Sequence, residues 1–227
     1  MSKTPIPFRG FDERGEVRFY NHGILPHWRQ TGCTYFVTFR LADSIPFKVL
    51  EEIEYERKCW LKARGINPDD VHWKKYLANL SINDRRPYEK LVGKLVNESL
   101  DECHGSCILR DPALGRKVAE SLVHFHEIRV FTGDFVVMPN HVHALLTPGH
   151  GYELEDVLHS IKSFTAKKIN RAIGKTGRFW QRESYDHIVR DLEQLHAYKD
   201  YIAANPLKAR LRMDEYFHSQ AEYREAT

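Results

Sequence analysis

The sequence predicts an α+β fold: a ferredoxin-like sandwich with an antiparallel sheet, an insertion after the first helix and an extra C-terminal helix. Three observations carry that expectation. Segments of period-two alternation and of helical spacing follow one another as strand, helix, strand, strand, helix, strand, with one more helix behind them. Two of the strand segments are separated only by Pro139-Asn140, which reads as a hairpin turn. The 227 residues, 42% of them apolar, suffice for one core with a large insertion but not for two full domains. The expected division is an N-terminal extension over 1–32, a domain over 33–211 interrupted by the insertion at about 66–110, and a tail over 212–227.

Taken in order, Thr34 to Leu41 alternates and is rich in β-branched and aromatic residues, and so reads as the first strand. Pro46 opens a charged segment of helical spacing that stops at Gly65. From Ile66 to about Arg110 the pattern turns irregular, with Pro68, Pro87, Gly93 and Gly105 among short helical pieces; nothing in this insertion suggests catalysis. A second helix, Asp111 to Phe125, precedes the strand pair Ile128 to Met138 and His141 to Leu146. Leu154 to Ile173 reads as a helix stopped by Gly174, Arg178 to Val189 as a strand carrying aromatics, and Asp191 to Asn205 as the last helix.

Charge and cysteine usage bound the setting. Four cysteines at irregular positions are too few for a disulfide framework and suit a reducing compartment. No stretch approaches the length of a membrane span, and no apolar run follows Met1, so a cytoplasmic location is expected. The net charge of +3 says little, but its distribution says more. Between Val157 and Arg182 there is no acidic residue, while Lys162, Lys167, Lys168, Arg171, Lys175, Arg178 and Arg182 all fall there. Such a run suits a patch that tracks nucleic-acid phosphates; a solvated helix face has the same composition.

The chemistry is concentrated in two short motifs. In Met138-Pro139-Asn140-His141-Val142-His143, two histidines stand at i and i+2 of an expected strand. Side chains so spaced share one face, roughly 7 Å apart at the backbone, and can converge on one metal ion. As ligands they are expected at the surface. His124 and His126 have the same spacing but begin in a helix, where such positions diverge, so no site is assigned to them. In the last helix Tyr201 and Asn205 stand at i and i+4, one face, where a phenol and an amide oxygen can approach one point. Pro206 is expected to hold Asn205 at or near the helix end. A packed ring and a helix cap would explain the same two residues by themselves.

Together with Phe179-Trp180-Gln181, Asp186-His187-Ile188-Val189-Arg190 and Tyr201-Ile202-Ala203-Ala204-Asn205-Pro206, the histidine motif resembles the REP-associated tyrosine transposases. These are relatives of the single-tyrosine transposases within the His-hydrophobic-His nucleases. The resemblance runs from about Cys33 to Leu211; the tail segment Glu215-Tyr216-Phe217-His218-Ser219 matches the family's ending only loosely. It implies that His141, His143 and Asn205 are ligands of a divalent cation, Mg²⁺ or Mn²⁺, and that Tyr201 is the nucleophile. It also implies single-stranded DNA with hairpin elements as the partner, cut through a 5′-phosphotyrosine, and allows a homodimer. Tyr185 and Tyr198 have Val189 and Ile202 four residues on, neither a ligand, which leaves Tyr201 as the tyrosine with a partner. His187 and Arg190 are expected to act from behind the ligands or on DNA, with a structural role for His187 standing level with that, and Lys199 or Arg190 to favour the phenolate. Cys103, His104 and Cys107 lack a second ligand pair and read as structural. A protein that only binds a single-stranded DNA or RNA hairpin is the alternative, and a nuclease using water a third.

Overall fold

In the computed structural model, residues 4–20, 27–80 and 82–225 are described. The chain forms strands β1 (Ile6–Phe8), β2 (Arg18–Tyr20), β3 (His27–Arg29) and β4 (Tyr35–Arg40). Helices α1 (Phe47–Lys62), α2 (Trp73–Asn79) and α3 (Ile82–Asp101) follow, then a 3₁₀ turn at Ile108–Arg110 and α4 (Pro112–Val123). Strands β5 (Val130–Val137) and β6 (His141–Pro148) lead to α5 (Leu154–Ala172), β7 (Tyr185–Ile188), α6 (Leu192–Lys208), β8 (Phe217–Ser219) and β9 (Tyr223–Glu225).

The central sheet has the order β7-β4-β6-β5-β8, antiparallel throughout. Its first four strands have the ferredoxin-like order, with β8 from the tail added at the β5 edge. Strand β6 is flanked on both sides, and all eight of its residues are buried. Alternation then gives each face its own core. On one face Tyr35, Val37, Phe39, Val142, Ala144 and Leu146 pack with Leu114, Val118 and Leu122 of α4 and Leu154, Leu158 and Ile161 of α5. On the other, Phe36, Val136, Met138 and Leu145 pack with Leu195 and Ile202 of α6. Helix α6, the addition to the sandwich, therefore lies across the face that carries the odd-numbered residues of β6.

The expected elements form, with instructive differences. Helix α1 does not lie on the sheet: Ile53, Val49 and Trp60 make a separate small core with Leu77 and Trp73 of α2 and Leu95 and Val96 of α3. The helix that fills the first place against the sheet is α4, so the inserted helices begin at α1. Within the insertion, where the sequence looks irregular, α3 is a helix of 20 residues that contains Pro87. The expected strand over Arg178–Val189 is broken. Phe179–Gln181 is hydrogen-bonded to the end of β4 through Ala42 N–H to Phe179 O (2.9 Å) and Gln181 N–H to Arg40 O (2.8 Å). Pairing resumes only at Tyr185. Helix α6 continues past Pro206 to Lys208, because a proline removes only one donor and Ala209 N–H still reaches Asn205 O. Asn205 is thus inside the last turn of the helix, near its end and not at it.

The extension and the tail are tied to the domain and to each other. Strands β1 and β9 pair in parallel, and β2 with β3 antiparallel. From β3, Arg29 reaches Asp186 of β7 and Glu155 of α5, while His27 Nδ1 lies 2.6 Å from Asp186 Oδ2. Near β9, Tyr223 Oη accepts from Asp134 N–H at 3.0 Å, over Gly133, where a Cβ would meet that oxygen at 1.8 Å. Only glycine fits there, at the irregularity between Thr132 and Phe135. Among the described residues, no helix is long and apolar enough to cross a membrane.

Candidate active site

Strand β6 puts His141 and His143 on the sheet face that α6 covers, with Val142 turned into the opposite core, as the alternation requires. Contrary to the surface position expected of ligands, both histidines are fully buried, because α6 lies over them. Their Nε2 atoms are 3.0 Å apart. His141 Nδ1 faces Asn140 Oδ1 at 2.7 Å, and Asn140 Nδ2 donates to His104 O at 3.0 Å. A carbonyl only accepts, so the Asn140 amide has one orientation, His141 carries its proton on Nδ1, and its Nε2 offers a lone pair. His143 Nδ1 faces the Thr38 hydroxyl at 2.7 Å, which can donate or accept. When Thr38 donates, His143 Nε2–H is shared with His141; when it accepts, both Nε2 lone pairs face one point.

Burial pushes the His141 imidazole down to about 3, partly opposed by Asn205, and takes His143 well below the usual range, with His141 and Lys208 adding to the effect. Both rings are therefore neutral at physiological pH, the form in which imidazole binds a metal.

The start of α6 fixes where its functional residues fall. Asp191 caps the helix by accepting from Gln194 N–H at 2.7 Å, and Gln194 Oε1 accepts from Arg190 N–H at 2.8 Å. From that anchor, Tyr201 and Asn205 fall one turn apart over β6. The Tyr201 ring stands edge-on to His143, centroids 5.1 Å apart, and to Phe36 at 5.9 Å. Lys208 Nζ lies 4.9 Å from the centre of the same ring. Asn205 is fully buried, and its Nδ2 donates to Asp101 Oδ1 at 3.2 Å. Asn205 Oδ1 and Tyr201 Oη are buried without a hydrogen-bond partner among the described residues, although Asn205 is near enough to influence both His141 and Tyr201. Burial raises the pKa of the Tyr201 phenol, and Asp101 raises it further, against a smaller opposing effect of Asn205.

These atoms suit a divalent cation: two neutral imidazole nitrogens converge, and a buried amide oxygen nearby lacks a partner. Among the described residues no three His, Cys, Asp or Glu side chains cluster as metal donors.

The other expected residues divide. Tyr198 stacks on Phe36 at 4.2 Å, and Phe36 in turn on His143, so Tyr198 stands one ring behind Tyr201. His187 is 6.3 Å from the Tyr198 ring, and the Arg190 charge acts on Tyr198; both lie on the flank of the site away from the histidine pair. Lys199 is engaged elsewhere, donating to Ala221 O at 2.9 Å and lying 3.8 Å from Asp134 Oδ1. The cation beside Tyr201 is Lys208, two turns further along the same helix face.

Of the basic run, Lys167, Lys168, Arg171, Lys175, Arg178 and Arg182 are exposed. Helix α5 packs on the sheet face opposite the histidines, so the structure does not bring Lys167, Lys168 and Arg171 into the site. Lys162 is different in kind: its ammonium, lowered to about 8 by burial, clamps the broken strand by donating to Arg182 O (2.9 Å) and Ser184 Oγ (3.0 Å). His126 accepts from Thr132 N–H at 3.0 Å, a structural role. Cys107 Sγ donates to Cys103 O at 2.7 Å within a tight turn.

Sequence reasoning missed Asp101, Asn140, Thr38 and Lys208. Lys208 was open to helical spacing, seven residues past Tyr201, and Asn140 to its place beside the motif; Asp101 and Thr38 carry no local signal.

Residues 115–205 match the family described as "Transposase IS200 like", a span that holds both histidines, Tyr201 and Asn205. A solved structure described as "Structure of the REP associates tyrosine transposase bound to a REP hairpin" aligns over 83% of this chain and 72% of its own, at 16% identity and a TM-score of 0.41. No protein of curated function matches the chain significantly.

Proposed function

We propose, from the match of residues 115–205 to the IS200-like transposases, that this chain cuts and rejoins single-stranded DNA through Tyr201. The observation that carries the reading is the meeting, on one buried sheet face, of two facing imidazole nitrogens, an unpartnered amide oxygen and an unpartnered phenol. His141, His143 and Asn205 would hold a divalent cation, Mg²⁺ or Mn²⁺. When bound, it would supply Lewis-acid neutralisation of charge developing on the scissile phosphate.

The chain's own residues supply the rest. Tyr201 Oη attacks phosphorus, the bond from phosphorus to the 3′ oxygen breaks, and that oxygen leaves as a 3′-OH while the 5′ end stays on the tyrosine. A second 3′-OH then attacks the phosphotyrosine, and Tyr201 regains its proton. Bond energy is conserved between the two steps, so no nucleotide is consumed. Burial holds the phenol protonated, and the Lys208 ammonium, 4.9 Å from the centre of its ring, is a nearby positive charge that would favour the phenolate. Phe36 and Tyr198 hold the His143 and Tyr201 rings in place. From the sequence resemblance, the substrate is DNA with hairpin elements, and the resemblance allows a homodimer as well as a monomer.

The test is incubation with Mn²⁺ or Mg²⁺ and single-stranded hairpin oligonucleotides, followed by denaturing electrophoresis. A protein-linked DNA band is expected. Cleavage without such a band assigns the attack to water, and binding without cleavage assigns the protein to hairpin recognition alone.

A further inference from the structure

Asn205 can serve a cation only if its oxygen, and not its nitrogen, faces the histidines. An amide has one donor end and one acceptor end of nearly equal size, and packing alone does not choose between them. Here the choice is made by Asp101, the last residue of α3, whose Oδ1 lies 3.2 Å from the Asn205 amide. A carboxylate only accepts, so the group facing it is Nδ2–H₂, and Oδ1 is turned away, buried and without a partner among the described residues. Asp101 comes from the inserted helices and stands outside the span that matches the transposase family. Its neighbour in the chain, Leu100, is fully buried. Burial raises the Asp101 pKa, while the Asn205 hydrogen bond and the Lys208 charge oppose that rise.

We infer that Asp101 is a positioning residue for the candidate metal site: it fixes the Asn205 amide so that Oδ1 faces the point between His141 and His143. The inserted helices thereby complete a site whose other parts lie on β6 and α6. This rests on the reading of His141, His143 and Asn205 as ligands. Partners of ligands typically affect metal affinity by about 10–100-fold.

The test measures Mn²⁺ binding to the full chain without DNA, by calorimetry and by the electron-spin resonance of free Mn²⁺. Asp101→Ala should weaken binding by about tenfold or more. Asp101→Asn, whose side-chain oxygen still accepts from Asn205 Nδ2, should bind close to wild type; this separates orientation from attraction by charge. In an Asn205→Ala background, Asp101→Ala should have no further effect. Equal affinity of Asp101→Ala and wild type overturns the inference, as does equal loss in Asp101→Asn and Asp101→Ala, or a loss that persists in the Asn205→Ala background. An adduct that forms faster in Asp101→Ala than in wild type also overturns it and makes the α3 end a barrier to DNA. If wild type binds no Mn²⁺, or if His141→Ala leaves binding unchanged, it is the ligand assignment that fails.

Discussion

Tyr201→Phe separates chemistry from stability more sharply than any other change. The ring keeps its edge contacts with His143 and Phe36, and the Lys208 ammonium keeps an aromatic face beneath it. Only Oη is lost, an oxygen that is buried and has no hydrogen-bond partner among the described residues. A buried hydroxyl without a partner costs about 1–3 kcal/mol, and the nearby Asn205 amide places this one at the low end. The variant is therefore expected to be more stable than wild type by about 1 kcal/mol, or roughly 2–4 °C in melting temperature for a chain of this size. The adduct with single-stranded DNA should vanish at the same time, while Tyr185→Phe and Tyr198→Phe still form it. Urea titration of metal-free protein and denaturing gels of the DNA reaction make the two measurements. A loss of stability of 1 kcal/mol or more would show that Oη is hydrogen-bonded in solution, and an adduct retained in Tyr201→Phe would refute the nucleophile.

Other outcomes follow from the same geometry. His141→Ala and His143→Ala should abolish Mn²⁺ binding measured by calorimetry; since both rings are buried, each should also cost stability, about 1–3 kcal/mol for the Asn140 acceptor that His141→Ala leaves behind. Neutralising Lys167, Lys168 and Arg171 together should lower the slope of log affinity against log salt by about 2 if each contacts one phosphate of a single strand. An unchanged slope returns α5 to a solvated face. Lys162→Met should instead lower the urea midpoint and leave that slope alone, because its ammonium is committed to Arg182 O and Ser184 Oγ. Burial alone would lower the His27 pKa, but Asp186 outweighs it and the value is raised; the stability from this pair is full below about pH 6.5 and is lost as pH rises through the raised value. Asp186 has its pKa lowered, since His27 and Arg29 outweigh burial, so its share is present above about pH 4 and is lost as pH falls through the lowered value. His27→Gln should thus cost more stability at pH 5 than at pH 8.5 in urea titrations, and an equal cost at both would refute the pairing.

By itself the sequence determined what depends on local period and on residue chemistry. Alternation in Thr34–Leu41 and around Pro139-Asn140 set the strands and turned His141 and His143 to one side. The i, i+4 spacing joined Tyr201 to Asn205, and the order of elements set the sandwich, because each of these signals is carried by neighbours along the chain. What only the tertiary structure decided is which elements pack on which side. Helix α1 looks like the sandwich's first helix, yet its apolar residues find α2 and α3, and α4 takes the sheet. The basic helix α5 is the next element after the histidine strand in the chain, but it is on the far face of the sheet, a separation that no local pattern encodes. Burial of the histidines follows from α6 crossing over β6, a contact between residues some 60 positions apart. Asp101 reaches Asn205 across 104 positions, so its part in the site exists only once the inserted helices have folded against the domain.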